Sequence, residues 1–331
     1  MHLLGLMMPS ATMFCRICYI SRHSFHEGTF GDGYAHRTPA SIQEDLDSIQ
    51  RGKLAGTKVA KLSSTSRGVI ADCCFHELDF YNYGKDQSMD PMHDLCEGVN
   101  MMIIKLILQD LVLLHKVKTC DEINNLIANF EYGDIESPNK PSPNFTILSL
   151  KSCTNALSQS ASQCWLLLRA FPFIFDELIS YNNNFQRIIG VLLRINYICF
   201  SNNISISNLD ELDILVSDLY ELFRSSFPGK KPINKLHHLC HYSKLICLGG
   251  PISNCFIFEG KFKESKGQSK TCNNFKNLTF SIAKRTNLKQ VASILRHAFE
   301  LNQYHVISST KLPNKNYLTI FYFLICQNLS Q

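Results

Sequence analysis

The chain has 331 residues, 45% of them hydrophobic and 18% charged. It is long enough for one large domain or two, and too apolar to be disordered throughout. The net charge of +5 is unevenly spread: between Pro228 and Gln290 stand twelve Lys or Arg against two acids, Glu259 and Glu264, so the rest sums to about −5. Such a segment suits a polyanion such as nucleic acid, or is a solvated lysine-rich surface.

In chain order, residues 1–90 are irregular and rich in His, Gly and Ser. "FGDGYAHRTPAS" is loop-like, and "SIQEDLDSIQRG" predicts a short amphipathic helix closed by Gly52. From Pro91 long helical patterns take over. The first covers 91–116, with Asp90 placed as its N-cap and Pro91 at the first helical position. "TCDEINNLIANF" predicts a second, capped by Thr119 or Asp121, and "YGDIESPNKPSPN" a loop. Residues 155–180 predict a long helix bent at Pro172, and 185–200 another. In "SNLDELDILVSDLYELFRSSF" Ser207 is the expected cap, and Leu209, Leu212, Leu215, Val216, Leu219 and Leu222 form the helical stripe. A further helix is expected over 274–299, while the tail 298–331 has no clear place.

These patterns divide the chain into an irregular CxxC segment (1–90), a helical body (91–227), a basic segment (228–297) and the tail. Trp165, Leu168, Leu215 and Leu219 are expected in the core. No secretory signal is read: "MHLLGLMM" is short and lacks a basic n-region. Fourteen cysteines without such a signal suggest a reducing compartment, nuclear or cytoplasmic, with most of Cys153, Cys164, Cys199, Cys240, Cys247 and Cys255 acting as small buried hydrophobes. The apolar runs are broken by Lys105 and Asp110 or last about nine residues, so no membrane partner is expected.

Four places could carry chemistry. "DPMHDLCEGV" puts Asp90, His93, Asp94 and Glu97 at the mouth of an apolar helix. Capping explains Asp90 and Asp94, because free N–H groups and the helix dipole favour negative charge there. It leaves His93 and Glu97, four apart on one face, unexplained. "CRIC" with "SRHSFH" gives Cys15, Cys18, His23 and His26. The CxxC half suits zinc, since both thiolates can turn onto one ion, whereas the two histidines are too close for a standard finger. "KLHHLCHY" places His237 and His241 four apart, able to share a ligand, beside His238. "CFIFEGKFK" sets Glu259 among apolar and basic residues, as a metal ligand or a salt-bridged surface acid. No Walker loop, GxSxG, HExxH or GxGxxG occurs.

Taken in order, "CRIC", "HRTPAS", "DPMHDLCEGV", "SQCWLLLRAFPF", "HHLCHYSKLI", "FEGKFK" and "NFKNLTFSIAKRTNLKQ" resemble a transposase-like family related to cut-and-paste DNA transposases of the CACTA and Chapaev kind. The resemblance covers about residues 1–297. It implies an RNase H-like core carrying a long helical insertion, and therefore a mainly α fold with a minor α+β part. It also implies three carboxylates holding two Mg2+ ions for phosphodiester transfer. Cys15 and Cys18 match the family's CxxC, Asp90 and His93 its accessory D-x-x-H, and Glu259 its third acid. Ile257 and Phe262 replace an Arg and a His of that last motif. The family's first two aspartates fall upstream of the CxxC, where this sequence has none, so a tight Mg2+ site is not expected.

The resulting expectation is a truncated, catalytically defective transposase-like protein with structural Zn2+ and weak, non-specific DNA binding through Lys261, Lys263, Lys284 and Arg285. Self-association is a further candidate partnership. A host-adopted zinc protein that binds DNA, or an active metal-dependent transposase or nuclease if the gene is incomplete, are the alternatives.

Overall fold

The computed structural model describes the chain except residues 1–4, 29, 32–33, 56–66, 74, 76–77, 79–80, 82–85, 87–88, 155–156, 177–181, 272–275 and 307–331. The tail expected to be without a clear place lies largely outside the described residues. The fold is mainly helical. In chain order the helices are α1 (Arg22–His26), α2 (Pro39–Leu54), the composite α3 (92–114), α4 (Cys120–Asn129), α5 (Ile147–Lys151), α6 (Ala161–Ile174), α7 (Asn183–Cys199), α8 (Ile206–Ser226), α9 (Asn234–His238), α10 (Tyr242–Gly249), α11 (Phe256–Thr271) and α12 (Leu278–Val306). Strand-like pairing among the described residues is confined to the isolated bridges Leu6–Val69, Met13–Ser21 and Cys18–His36. No helix among these residues is long and apolar enough to cross a membrane.

The chain divides into two units, Met1–Phe256 and Ile257–Gln331. In the first, α3 is the central element. Its α-helical middle, Asn100–Gln109, is flanked by wider π-helical turns, Met92–Val99 and Asp110–Leu114. Every residue from Asn100 to Leu108 is buried, so this segment is wrapped on all sides rather than amphipathic. Two polar groups are buried with it, and both are satisfied. Asn100 and Asn196 exchange side-chain amide hydrogen bonds at 2.9 and 3.1 Å. Lys105 donates to Ser152 Oγ and to the carbonyls of Ser152 and Thr154.

Helix α6 packs on α3, α7 joins it through the Asn100–Asn196 pair, and α8 packs on α7. One core runs through them: Leu168 and Leu219 are fully buried, whereas Leu215 is only partly so. Trp165 stands at a smaller cluster beside the main core, its ring stacked on Phe200 at 4.4 Å. The same main core takes in Phe14, Ile17, Ile20 and Phe25 from the irregular N-terminal stretch, and Leu236, Leu239 and Tyr242 from the start of the basic stretch.

Local sequence explains most helix starts. Thr38, Thr119, Thr146 and Ser160 each close a capping box with the residue three positions on. Asp90 Oδ1 accepts from the Met92 amide at 3.2 Å, the capping role expected of it. Three boundaries differ from expectation. Helix α8 is capped by Ser205, not Ser207, because Ser205 and Asn208 bond reciprocally and start the helix two residues earlier. Helix α6 begins at Ala161, not 155, and runs through Pro172 to Ile174. Helix α2 continues past Gly52 to Leu54. Of the six scattered cysteines, Cys164 and Cys199 are buried, but Cys153 and Cys247 are exposed.

In the second unit, α12 carries Lys284 and Arg285 on its exposed surface. Phe258, Phe262 and Phe280 are also exposed, at 62, 67 and 62%.

Candidate metal centre

Cys15 and Cys18 lie on a tight knuckle, and its backbone is pinned on both sides. Tyr19 N–H donates to Ala35 O at 3.1 Å, Arg37 N–H to Ile17 O at 2.7 Å and Arg22 N–H to Thr12 O at 2.7 Å. Inside the knuckle the amides of Ile17 and Cys18 point at Cys15 Sγ, at 3.4 and 3.5 Å. Amides aimed at a sulfur favour its thiolate. Arg37, 1% exposed, donates from Nε to the Cys15 carbonyl at 3.1 Å and lies over the Tyr19 ring. Arg67 covers the same ring and pairs with Asp45 of α2 at 2.8 Å. The knuckle is thus fastened to α2 before any ligand is considered.

The knuckle faces α9 and the turn after it. Cys18 Sγ stands 3.2 Å from His237 Nε2, Cys15 Sγ 3.4 Å from His241 Nε2, and the two Nε2 atoms 3.2 Å apart. All four side chains are buried, at 0–1% exposure, and their donor atoms lie within 4.8 Å of one another. A tetrahedral zinc ion with bonds of about 2.0–2.3 Å would set its ligand atoms roughly 3.3–3.8 Å apart. The three closest edges, 3.2, 3.2 and 3.4 Å, lie at or just under the lower end of that range. This Cys2His2 cluster is able to hold a metal ion.

Protonation fits a cation as well. Burial raises both thiols, but contacts with Cys18, His237 and His241 outweigh it at Cys15, whose pKa falls well below 9.0. Cys18, beside that sulfur and buried, is pushed up. Burial lowers His237 and keeps its imidazole neutral, the form that ligates. Around the ligands, Phe14 and Phe25 meet the His237 ring edge-on, and His36 meets His241 in the same way. The Cys240 sulfur stands 3.6 Å from His237 Nδ1.

The "DPMHDLCEGV" stretch serves this centre from behind. Asp94 is 5% exposed; Oδ1 lies 2.9 Å from His238 Nδ1, and Oδ2 accepts from Tyr242 Oη at 3.1 Å. Burial would lower His238, but the Asp94 carboxylate holds its pKa above 6.5. Gly98 admits α9: a Cβ there would stand 2.4 Å from Lys235 Cδ and 3.2 Å from Lys235 Cβ. Lys235 Nζ in turn donates to Glu97 O at 3.3 Å.

The other expected residues are placed as follows. His23 is exposed on α1, 4.0 Å from Glu27, and His26 is half-buried beside Lys231 and Pro232. Neither belongs to the cluster, because Ser21 caps α1 and its one buried side chain is Phe25. The two nitrogens come instead from His237 and His241, more than two hundred residues along the chain. Asp90 and His93 pair with each other at the start of α3, where Cys255 joins them. Glu259 is exposed in the first turn of α11. Lys261 and Lys263 lie on the same helix, with their side chains outside the described residues. The sequence displayed both halves of the centre; no spacing signal joined them. In the sequence Asp94 reads as a helix-start acid and Cys255 as a small buried hydrophobe, and Tyr242 carries no signal of its own.

An open groove of about 610 Å³ lies elsewhere, between α6 and α7, lined by Trp165, Arg169, Arg194, Tyr197 and Phe200. Its arginines are already paired, Arg169 with Glu136 at 2.8 Å and Arg194 with both oxygens of Glu211 at 2.6 Å. No family model matches this chain, and no curated protein matches it.

Proposed function

We propose that the chain is a transposase-like, nucleic-acid-binding protein in which Zn2+ at Cys15, Cys18, His237 and His241 is structural. The observation that carries the zinc assignment is the closed donor set, two sulfurs and two nitrogens within 4.8 Å of one another and all buried. Four protein donors leave no position for water or substrate, so the ion holds structure instead of doing chemistry. Two thiolates and two neutral imidazoles offset the charge of a divalent ion, and thiolate favours zinc over Mg2+.

The transposase-like reading, with a remnant of an RNase H-like core, rests on the order of the seven motifs. The metal cluster supports it, since "CRIC" and "HHLCHYSKLI" are two of those motifs and meet in space. Nucleic-acid contact is assigned to the basic helices, where Lys284 and Arg285 are exposed together. Such contacts are to phosphate, so binding is weak, insensitive to sequence and steeply salt-dependent. Cleavage through Glu259 and Mg2+ is not part of this reading. Mg2+ needs several oxygen donors in octahedral array, and among the described residues no metal-binding cluster includes Glu259.

The test uses the full chain. The double variant Cys15→Ser, Cys18→Ser should carry one zinc ion fewer than the wild type by elemental analysis; equal contents would refute the zinc assignment. On duplex DNA, Lys284→Gln with Arg285→Gln should lower affinity and flatten the log–log salt slope by about two. Absence of wild-type binding even at roughly 50 mM salt, where phosphate contacts are strong, would refute the nucleic-acid assignment.

A further inference from the structure

A second cluster of mixed donors stands at the mouth of α3. Asp90, His93 and Cys255 each offer one ligand atom within 4.8 Å of the others, and all three are half-buried. Asp90 is held rigidly. Its Oδ1 accepts from the amides of Met92 at 3.2 Å and Cys255 at 3.1 Å, which ties the turn before α11 onto α3. Its Oδ2 is directed at His93 Nδ1. The far nitrogen of that ring, Nε2, lies 3.8 Å from Glu97 Oε2.

We infer that Asp90, His93 and Cys255 form a second, open site for a borderline divalent cation of the Zn2+ or Co2+ class. The donor set is one oxygen, one nitrogen and one sulfur. That excludes Mg2+, which wants oxygens alone, and suits ions that accept thiolate and imidazole together. Carboxylate and thiolate together offset both charges of a divalent ion, and the neutral imidazole adds none, so no excess charge is buried. Glu97, 3.8 Å from His93 Nε2, stands on the side of the ring where a carboxylate commonly receives the second N–H of a ligating histidine. This accounts for both residues of "DPMHDLCEGV" that capping leaves over.

The geometry differs from the first centre in one respect that matters. His93 and Asp90 side chains are 43 and 19% exposed, so the fourth coordination position opens to water. Three protein ligands plus a solvent position is the pattern of an exchangeable ion, whereas the Cys2His2 centre is closed. Without a cation the same atoms hold together by protons, His93 and the Cys255 thiol donating to Asp90. The two states differ in composition and are distinguishable.

Elemental analysis of the full chain after zinc loading and desalting should find two ions per chain, and one in Cys255→Ser or in His93→Ala. A chelator should strip the wild type in two phases, the faster phase missing from either variant. With Co2+ in place of zinc, the wild type minus Cys255→Ser difference spectrum should contain a thiolate-to-cobalt charge-transfer band. The ion remaining in the variants should disappear on adding Cys15→Ser and Cys18→Ser, which separates this site from the first. One ion per chain in the saturated wild type, removed in a single phase, would overturn the inference even if the variants failed to fold.

Discussion

At Cys15 and Cys18, two identical side chains three residues apart carry opposite perturbations. Cys15 receives two backbone amides and faces two imidazoles, so its thiolate is favoured; Cys18 faces that thiolate and keeps its proton. His237 is already neutral. Because ligands must be deprotonated to bind, zinc uptake releases whatever protons the empty cluster still holds. The expected release at this centre near pH 7 is therefore close to one proton, not the two of a pair of ordinary thiols. Calorimetry of zinc binding to Cys255→Ser in buffers of different ionisation enthalpy measures it. A value near two would mean that the knuckle leaves the cluster when the ion does. The sign of the pH dependence follows: affinity rises with pH until the Cys18 proton is lost, and falls in acid as the His237 imidazole charges.

At the scale of elements, the contact between α3 and α9 decides where His237 stands. Gly98 is in a helical segment, where alanine is ordinarily better by about 1 kcal/mol. Here the added methyl would meet the Lys235 side chain at 2.4 Å and the His93 carbonyl at 3.1 Å. Overpacking of that kind costs about 1–3 kcal/mol, so the clash wins. Gly98→Ala should lower the urea midpoint and weaken zinc retention together. Lys235→Ala removes the nearest obstacle, and in that background Gly98→Ala should be much less harmful. If Gly98→Ala stabilises the otherwise unaltered chain, α9 is not seated on α3 as described. The same element scale shows which boundaries local chemistry settles. The sequence left Thr119 and Asp121 both open as the cap of α4, and the reciprocal Thr119–Glu122 pair decides for Thr119. Ser205 and Ser207 compete within three residues, and only the amide partner of Asn208 separates them.

For the whole molecule, the Cys2His2 cluster joins positions more than two hundred residues apart, Cys15 with His241 and Cys18 with His237, and an ion bound there would close that loop. Chain-entropy arguments put such a cross-link on the order of 5 kcal/mol. Small zinc domains unfold without their ion, but here the knuckle is also anchored by Phe14, Ile17, Ile20 and Phe25, all buried. Each such side chain contributes about 1.5–3 kcal/mol, and Tyr220 Oη bonds the Phe25 carbonyl at 3.0 Å. Chelation should therefore lower the melting temperature by about 10 °C or more while leaving helical circular dichroism at 25 °C nearly unchanged. Loss of most helical signal on chelation would show that the ion, not the core, carries the N-terminal stretch.

The sequence by itself determined the helical class, the capped start of α3, the CxxC pair, the i, i+4 histidines and the concentration of charge at the head of α3. These are local properties, set by periodicity, capping partners and spacing along one element. Tertiary structure alone decided that Cys15 and Cys18 meet His237 and His241 instead of His23 and His26. It also decided that Asp94 braces His238 and Tyr242, and that Cys255 returns to Asp90 and His93. Those pairings span from about 140 to 226 residues and follow from how buried faces stack around α3. Spacing fixes which side chains share a helix face, whereas only packing of the core fixes which faces meet.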